Sequence, residues 1–254
     1  MDLGLRDRVY VVTGASRGLG LATAQALVAD GARVVLCSRD EERLSAAANA
    51  LGGADHALGV TGDLSDPRSG ERRAASAVAR WARLDGALVS VGGPPGGPAL
   101  SITDDQWRSS FESVFLGSVR IVRAVTSAMG DDGGAIALVL SLSVKQPVDG
   151  LASSNGLRPG LGMLAKTMAD ELGPRNIRVL GLLPGRVETD RIRELDDASG
   201  RPKKMREEFE RKIPLGRYGE PAEFGRVAAF ALSPAASYLN GVMIPVDGGL
   251  ARGL

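Results

Sequence analysis

Short apolar runs recur along the chain at 9–12, 33–37, 86–91, 135–140, 177–183 and 242–246, with a weaker one at 56–61. Runs with so little polar alternation suit strands covered on both faces of a sheet. Between them the pattern predicts helices at about 19–30, 40–51, 66–83, 103–129, 153–173 and 221–232. The weaker strand is followed by Ser65-Asp66-Pro67, a helix start with proline in the first turn. Strand and helix therefore alternate throughout. With right-handed crossovers, that order predicts an α/β fold: one doubly wound sheet of seven mainly parallel strands with helices on both faces. Its ligand belongs outside the carboxyl ends of the strands.

No low-complexity linker divides the 254 residues, so a single domain spanning 1–254 is expected. A charged, helix-prone insertion at 190–212 interrupts the rhythm before Ile213-Pro214-Leu215-Gly216, and it is expected to be a mobile lid. The composition is 44% hydrophobic and 24% charged, which supports a substantial core. Lys plus Arg number 31 against 30 for Asp plus Glu, so no net field draws the chain to nucleic acid or to a membrane surface. One cysteine, Cys37, makes no internal disulfide, and one histidine, His56, leaves the usual zinc ligand sets incomplete. A cytoplasmic protein without a metal is the expectation; the first residues carry no apolar signal core, and no apolar stretch is long enough to span a bilayer. Cys37 and His56 are given no role.

Thr13-Gly14-Ala15-Ser16-Arg17-Gly18-Leu19-Gly20 stands directly after the first strand and opens the first helix. Glycine at 14, 18 and 20 permits a tight turn and close approach to a pyrophosphate, while unpaired amides and the positive helix end face its charge. The spacing G-x-x-x-G-x-G differs from the G-x-G-x-x-G fingerprint, and its place between strand and helix gives it weight. A nicotinamide dinucleotide is the expected ligand, held by Gly14, Ser16, Arg17, Gly18, Leu19 and Gly20.

The end of the second strand separates the two forms of that cofactor. A carboxylate there would accept from the ribose hydroxyls, whereas basic residues accommodate a 2′-phosphate. The chain reads Cys37-Ser38-Arg39, and with Arg17 two guanidinium forks are available for a phosphate. NADP(H) is therefore expected over NAD(H), although in a chain with 26 Arg both side chains also fit a solvated surface.

Several ordered segments resemble the short-chain dehydrogenase/reductases, with their Rossmann-type sheet. They are Thr13 to Gly20, Asp63-Leu64, Val91-Gly92-Gly93, Ser141 after the fifth strand, Leu183-Pro184-Gly185 with Thr189, and Val246-Asp247-Gly248-Gly249. The similarity spans essentially the whole chain. Ile213-Pro214-Leu215-Gly216-Arg217 and Gly219-Glu220-Pro221 resemble the 3-oxoacyl-carrier-protein reductase branch. The resemblance implies hydride transfer between nicotinamide C4 and a small carbonyl or alcohol. It also implies that Asp63 and Leu64 frame the adenine, that Val91, Gly92, Gly93, Pro184 and Gly185 line the cofactor, and that the protein assembles as a homotetramer or homodimer.

Carbonyl reduction needs a proton donor and hydrogen-bond donors where negative charge grows on oxygen. The family supplies them from an Asn, a Ser and a Tyr-x-x-x-Lys pair. Aligned without gaps, the serine falls on Ser141, the tyrosine on Ser154 and the lysine on Arg158; counted from Trp107, the asparagine falls on Val114. The chain's three tyrosines are followed four residues on by Gly14, Ala222 and Val242, so no Tyr-x-x-x-Lys exists. A serine hydroxyl is a poor acid, and an arginine does not release its proton at neutral pH.

Ser141 is expected either to orient a substrate oxygen or to cap the loop after it. Arg158, one turn after Ser154, is placed to meet a ribose hydroxyl or a substrate anion. Lys145, if buried, would stand in as proton donor, and Gly92-Gly93-Pro94-Pro95-Gly96-Gly97-Pro98 is expected to form a stiff pocket wall. Two functions remain open. One is an atypical NADP(H)-dependent reductase of a carbonyl, enone or related small molecule that draws its proton from water or substrate. The other is a catalytically impaired nucleotide-binding homologue acting as a regulatory or assembly partner.

Overall fold

The computed structural model describes residues 2–253. Seven parallel strands form one sheet: β1 (Val9–Thr13), β2 (Arg33–Ser38), β3 (Ala57–Thr61), β4 (Gly86–Ser90), β5 (Gly134–Val139), β6 (Ile177–Pro184) and β7 (Met243–Val246), in the order β3-β2-β1-β4-β5-β6-β7. The helices are α1 (Gly18–Ala29), α2 (Glu41–Ala50), α3 (Ser69–Trp81), α4 (Asp104–Ser110), α5 (Gly117–Ala128), α6 (Ala152–Leu172), α7 (Asp190–Ala198), α8 (Pro202–Lys212) and α9 (Pro221–Leu232). Among the described residues no helix is long and apolar enough to cross a membrane.

The strands read as continuous apolar runs because both faces are covered. Along β1, Val9 and Val11 pack with Ala77 of α3, Val125 of α5 and Leu161 of α6. Tyr10 and Val12 face the other way, onto Leu27 of α1, Leu44 of α2 and Phe224 of α9. All four strand residues are at most 1% exposed. The chain leaves β1 for β2 and β3, then returns to the other side of β1 as β4. That reversal opens a crevice beyond the ends of β1 and β4, where ligands of doubly wound sheets sit. Thr13 closes the base: its hydroxyl donates to the Ser90 carbonyl (2.7 Å) and accepts from the Ser90 amide (2.8 Å).

Three departures from the sequence expectation have local causes. Helix α3 begins at Ser69, not at 66, because the Asp66 carboxylate accepts from the Arg68 amide (3.0 Å) and holds 66–68 in a turn. The helix expected at 103–129 is divided: a π-helical stretch, Phe111–Leu116, separates α4 from α5 and holds Val114. The 190–212 insertion is two helices, interrupted at Ser199-Gly200-Arg201, with Pro202 starting α8. It is anchored to the body through Asp196, a 7%-exposed residue whose carboxylate meets Arg186 (2.7 Å) and the Tyr218 hydroxyl (3.0 Å). The Arg186 guanidinium lies 3.5 Å over the Phe209 ring of α8.

Candidate active site

The glycine turn fills the crevice edge as its sequence requires. Gly14 has φ +60°, and a Cβ there would lie 2.9 Å from the Ser90 carbonyl oxygen, so a side chain is excluded on two counts. Gly18, Leu19 and Gly20 form the first turn of α1. That helix starts without a side-chain cap and has no acidic residue in its first turn, so its N-terminal amides are not answered by the chain's own anions. This fits a diphosphate.

At the end of β2, the Ser16 and Ser38 hydroxyls lie 2.8 Å apart. Asp40, the nearest following carboxylate, is engaged in accepting from the Arg43 amide at the start of α2 (3.0 Å). Arg39 is 81% exposed and lies 3.6 Å from Asp63, whose carboxyl is held below its usual range chiefly by the Ser65 amide. Arg17 pairs with Asp190 at the start of α7 (2.9 Å). Both guanidinium groups are exposed, and exposed pairs of this kind are weak enough to exchange partners. Leu64 packs against the core beside Gly117, and Val91 does likewise, while Gly92 and Gly93 are exposed. Pro184 ends β6, and the Gly185 amide donates to Val246 (3.0 Å), leading to Thr189, which caps α7.

The residues that the resemblance aligns with the family's catalytic serine, tyrosine and lysine gather at the end of β5. The Ser141 oxygen accepts from the Ser143 amide (3.1 Å), capping the 3-10 turn Leu142–Val144. Its contact is thus the capping one, and its hydroxyl hydrogen is not spent in that bond. Ser143, rather than Ser141, meets Ser154: their hydroxyls are 3.2 Å apart, and both residues are buried. One turn along α6, Arg158 is 6% exposed and donates through Nη1 to the Val139 carbonyl (2.7 Å). Burial first, and the Arg191 charge second, push its pKa down to about 10, which leaves it a cation at neutral pH. Val114 is 2% exposed, an apolar residue where the family has an amide.

Lys145 is exposed, so the burial that its proton-donor reading requires is absent. Cys37 is buried, which pushes its thiol up to about 12, and His56 is exposed. The wall at 92–98 is fastened from two sides: Ser153 of α6 donates to the Pro95 carbonyl (2.6 Å) and Arg191 of α7 donates to the Pro94 carbonyl (2.9 Å). Sequence reasoning missed Arg191. No local signal marks it, because only the path of α7 brings it to the wall.

The chain belongs to the short-chain dehydrogenase/reductase family of oxidoreductases. Residues 14–251 match the family described as enoyl-(acyl carrier protein) reductase. A trans-4-hydroxycyclohexanecarboxylate dehydrogenase of Sinomonas cyclohexanicum is 32% identical over 254 residues, covering 97% of this chain and 94% of that protein. L-sorbose reductase from Gluconobacter frateurii, solved with NADPH and L-sorbose, superposes with a TM-score of 0.91 at 29% identity and 100% coverage of both chains. An NADPH-bound short-chain oxidoreductase from Pseudomonas aeruginosa PAO1, described as containing an atypical catalytic centre, gives a TM-score of 0.88 at 31% identity, covering 98% of this chain and 100% of that one. These likenesses support a nicotinamide-dependent dehydrogenase or reductase. They do not single out the 3-oxoacyl branch among its relatives.

Proposed function

We propose that this chain is an NADP(H)-dependent reductase of a small carbonyl, enone or related compound that works without an enzyme acid of the family's usual kind. The observation that carries this reading is the site itself. At the same edge of the sheet as an uncapped, glycine-opened helix N-terminus, the end of β5 carries three serine hydroxyls and a buried guanidinium, none of them an acid that gives up its proton near neutral pH. Preference for the phosphorylated cofactor rests on Arg17, Arg39, Ser16 and Ser38, and on the engagement of Asp40 elsewhere.

The bound cofactor would supply the hydride. Ser141 and Ser154 would donate hydrogen bonds to the substrate oxygen as charge grows there, with Ser143 holding Ser154 in place. Arg158 acts by charge and position, since it keeps its proton. The enolate left by a conjugated ketone is less basic than a simple alkoxide and would take its proton from water, and the nitrogen of an iminium would keep the displaced pair without a proton, so either would ask less of the protein than a ketone does. The enoyl-reductase description of the matching family is consistent with the first of these. Helices α7 and α8 would act as the lid, and exposed Phe111 and Met163, at 42% and 72%, support assembly through helices α4 to α6.

NADPH oxidation measured across ketones, enones and imines, with Ser141→Ala for comparison, tests the reading. Expected is turnover greatest on enones or imines and cut about tenfold or more by the substitution. Tight NADPH binding with no turnover on any of them would instead favour a cofactor-responsive regulatory or assembly partner.

A further inference from the structure

Arg158 stands where the resemblance puts the family's lysine, and the Arg191 guanidinium is near enough to push its pKa further down. Arg158 is buried, and among the described residues its one hydrogen bond goes from Nη1 to a neutral acceptor, the Val139 carbonyl, which leaves Nε and Nη2 without a partner there. A guanidinium taken out of water is ordinarily paired with an acid. Among the described residues no carboxylate forms an ion pair with it, and the charge that acts on it is that of a second guanidinium, Arg191.

Arg191 is brought there by the fold. It projects from the first turn of α7 and bonds the Pro94 carbonyl, with its guanidinium lying against Gly93. A Cβ at Gly93 would collide with Nε of that side chain, so the glycine at 93 makes the passage available. Its carboxylate neighbour is Glu194 at 3.7 Å, one turn along and 55% exposed, a solvated partner. On the opposite side, Ser153 of α6 holds Pro95, which sets the stretch of α6 carrying Ser154 and Arg158 against the same wall. The Pro94 and Pro95 carbonyls thus tie Arg191 and the first turn of α6, which carries Ser154, to one segment of chain, with Arg158 one turn further along α6.

The cofactor's diphosphate belongs elsewhere. Its cradle lies at the end of β1, whereas Arg158 is bonded to the end of β5, two strands away in the sheet. At the usual strand spacing that separation is about 10 Å, beyond hydrogen-bond reach.

We propose that Arg158 and Arg191 form a carboxylate-receiving subsite beside Ser141, Ser143 and Ser154, so that the compound reduced is an organic acid whose carbonyl or conjugated double bond lies within a few atoms of its carboxylate. The planar guanidinium fork matches a carboxylate in two parallel bonds, and Arg191, riding on α7, completes the grip when that helix is seated on the wall. The subsite deepens the reductase reading and rests on it for the reaction, but the binding claim is separately measurable.

The test uses the full chain and two readouts. In the first, butanoate and its neutral counterpart butanamide are titrated calorimetrically, with and without saturating NADP+. Expected is saturable binding of butanoate that persists with cofactor, at least tenfold tighter than butanamide, and weakened at least tenfold in Arg191→Gln with partial recovery in Arg191→Lys. Arg158→Gln should behave alike, and the half-buried position of Arg191 at the surface keeps the test decisive if the buried substitution prevents folding. In the second, kcat/KM for 3-oxobutanoate is compared with that for its methyl ester. The acid should be favoured at least tenfold, and this ratio should fall toward one in Arg191→Gln, through KM.

Butanoate and butanamide binding equally would overturn the subsite. So would displacement of butanoate by NADP+ together with binding of inorganic pyrophosphate at the same arginines, which would assign the pair to the cofactor and leave the reductase reading intact. Selective butanoate binding without turnover of any carbonyl compound would uphold the subsite and remove the reductase reading.

Discussion

Arg17 Nη1 lies 2.9 Å from Asp190 Oδ2, an ion pair that ties the glycine turn to the first turn of α7. Arg17 also serves the proposed 2′-phosphate, so cofactor and helix compete for one guanidinium. Asp190→Asn is expected to tighten NADPH binding about two- to fivefold, the worth of an exposed pair, and to leave NADH unchanged. Arg17→Ala should weaken NADPH about tenfold or more, with a reduced salt dependence. Fluorescence titration of both cofactors at two ionic strengths checks both.

Gly14 offers a sharper test of the cradle. Gly14→Val puts a branched side chain where φ is +60° and the Ser90 carbonyl stands 2.9 Å from the first added carbon. The fold is expected to lose about 1–3 kcal/mol. The Tm rise that NADPH gives the parent chain should vanish, whereas for the parent a concentration of 100 times Kd should add about 2.7 kcal/mol. A variant that kept the cofactor-induced rise would remove the glycine turn from the binding site.

Asp196 anchors the inserted helices. Its carboxylate answers both Arg186 and the Tyr218 hydroxyl in a buried setting. Asp196→Ala strands the Arg186 charge beneath α8 and is expected to cost about 3 kcal/mol. Chemical denaturation gives the loss. Hydrogen exchange should show α7 and α8 opening faster while β1 to β6 stay protected, and uniform loosening of the whole sheet would contradict the anchor's local role.

Glu223 supplies a pH signature. It closes the start of α9 by accepting from the Glu220 amide (2.7 Å) and pairs with both Arg217 nitrogens, and these bonds, Arg217 first, lower its pKa from 4.5 to about 2. A carboxyl depressed on folding adds stability that is present in full above about 4.5 and lost as pH falls toward 2. Glu223→Gln should therefore be less stable than the parent by roughly 0.5–1 kcal/mol at pH 7. Melting curves should converge between pH 4.5 and pH 2, and a constant gap would show that the charge is not what matters.

The doubly wound sheet was legible because each strand carries its own record. β1, β2, β4, β5 and β6 are buried apolar runs, and the turn at Gly14 to Gly20 announces itself by residue type. The absence of a Tyr-x-x-x-Lys was equally plain, since Gly14, Ala222 and Val242 stand four positions after the three tyrosines. What the sequence did not disclose depends on distance in space. The Ser143–Ser154 contact joins residues on separate elements, and Arg191 reaches Pro94 across 97 positions of chain. The π-helical stretch at Phe111–Leu116 escaped as well, since it has the same apolar spacing as the helices on either side.

The double fastening of the loop after β4, by Ser153 to Pro95 and by Arg191 to Pro94, makes acceptance of new compounds and opening of the entrance a shared variable. On the proposed reading of 92–98 as a pocket wall and of α7 as a lid, anyone redesigning the loop for a bulkier guest also retunes how readily α7 swings away, so libraries that vary 92–98 alone will trade selectivity against speed of release. Randomising Ser153 and Arg191 alongside that loop gives the search the two handles it needs to move those properties apart.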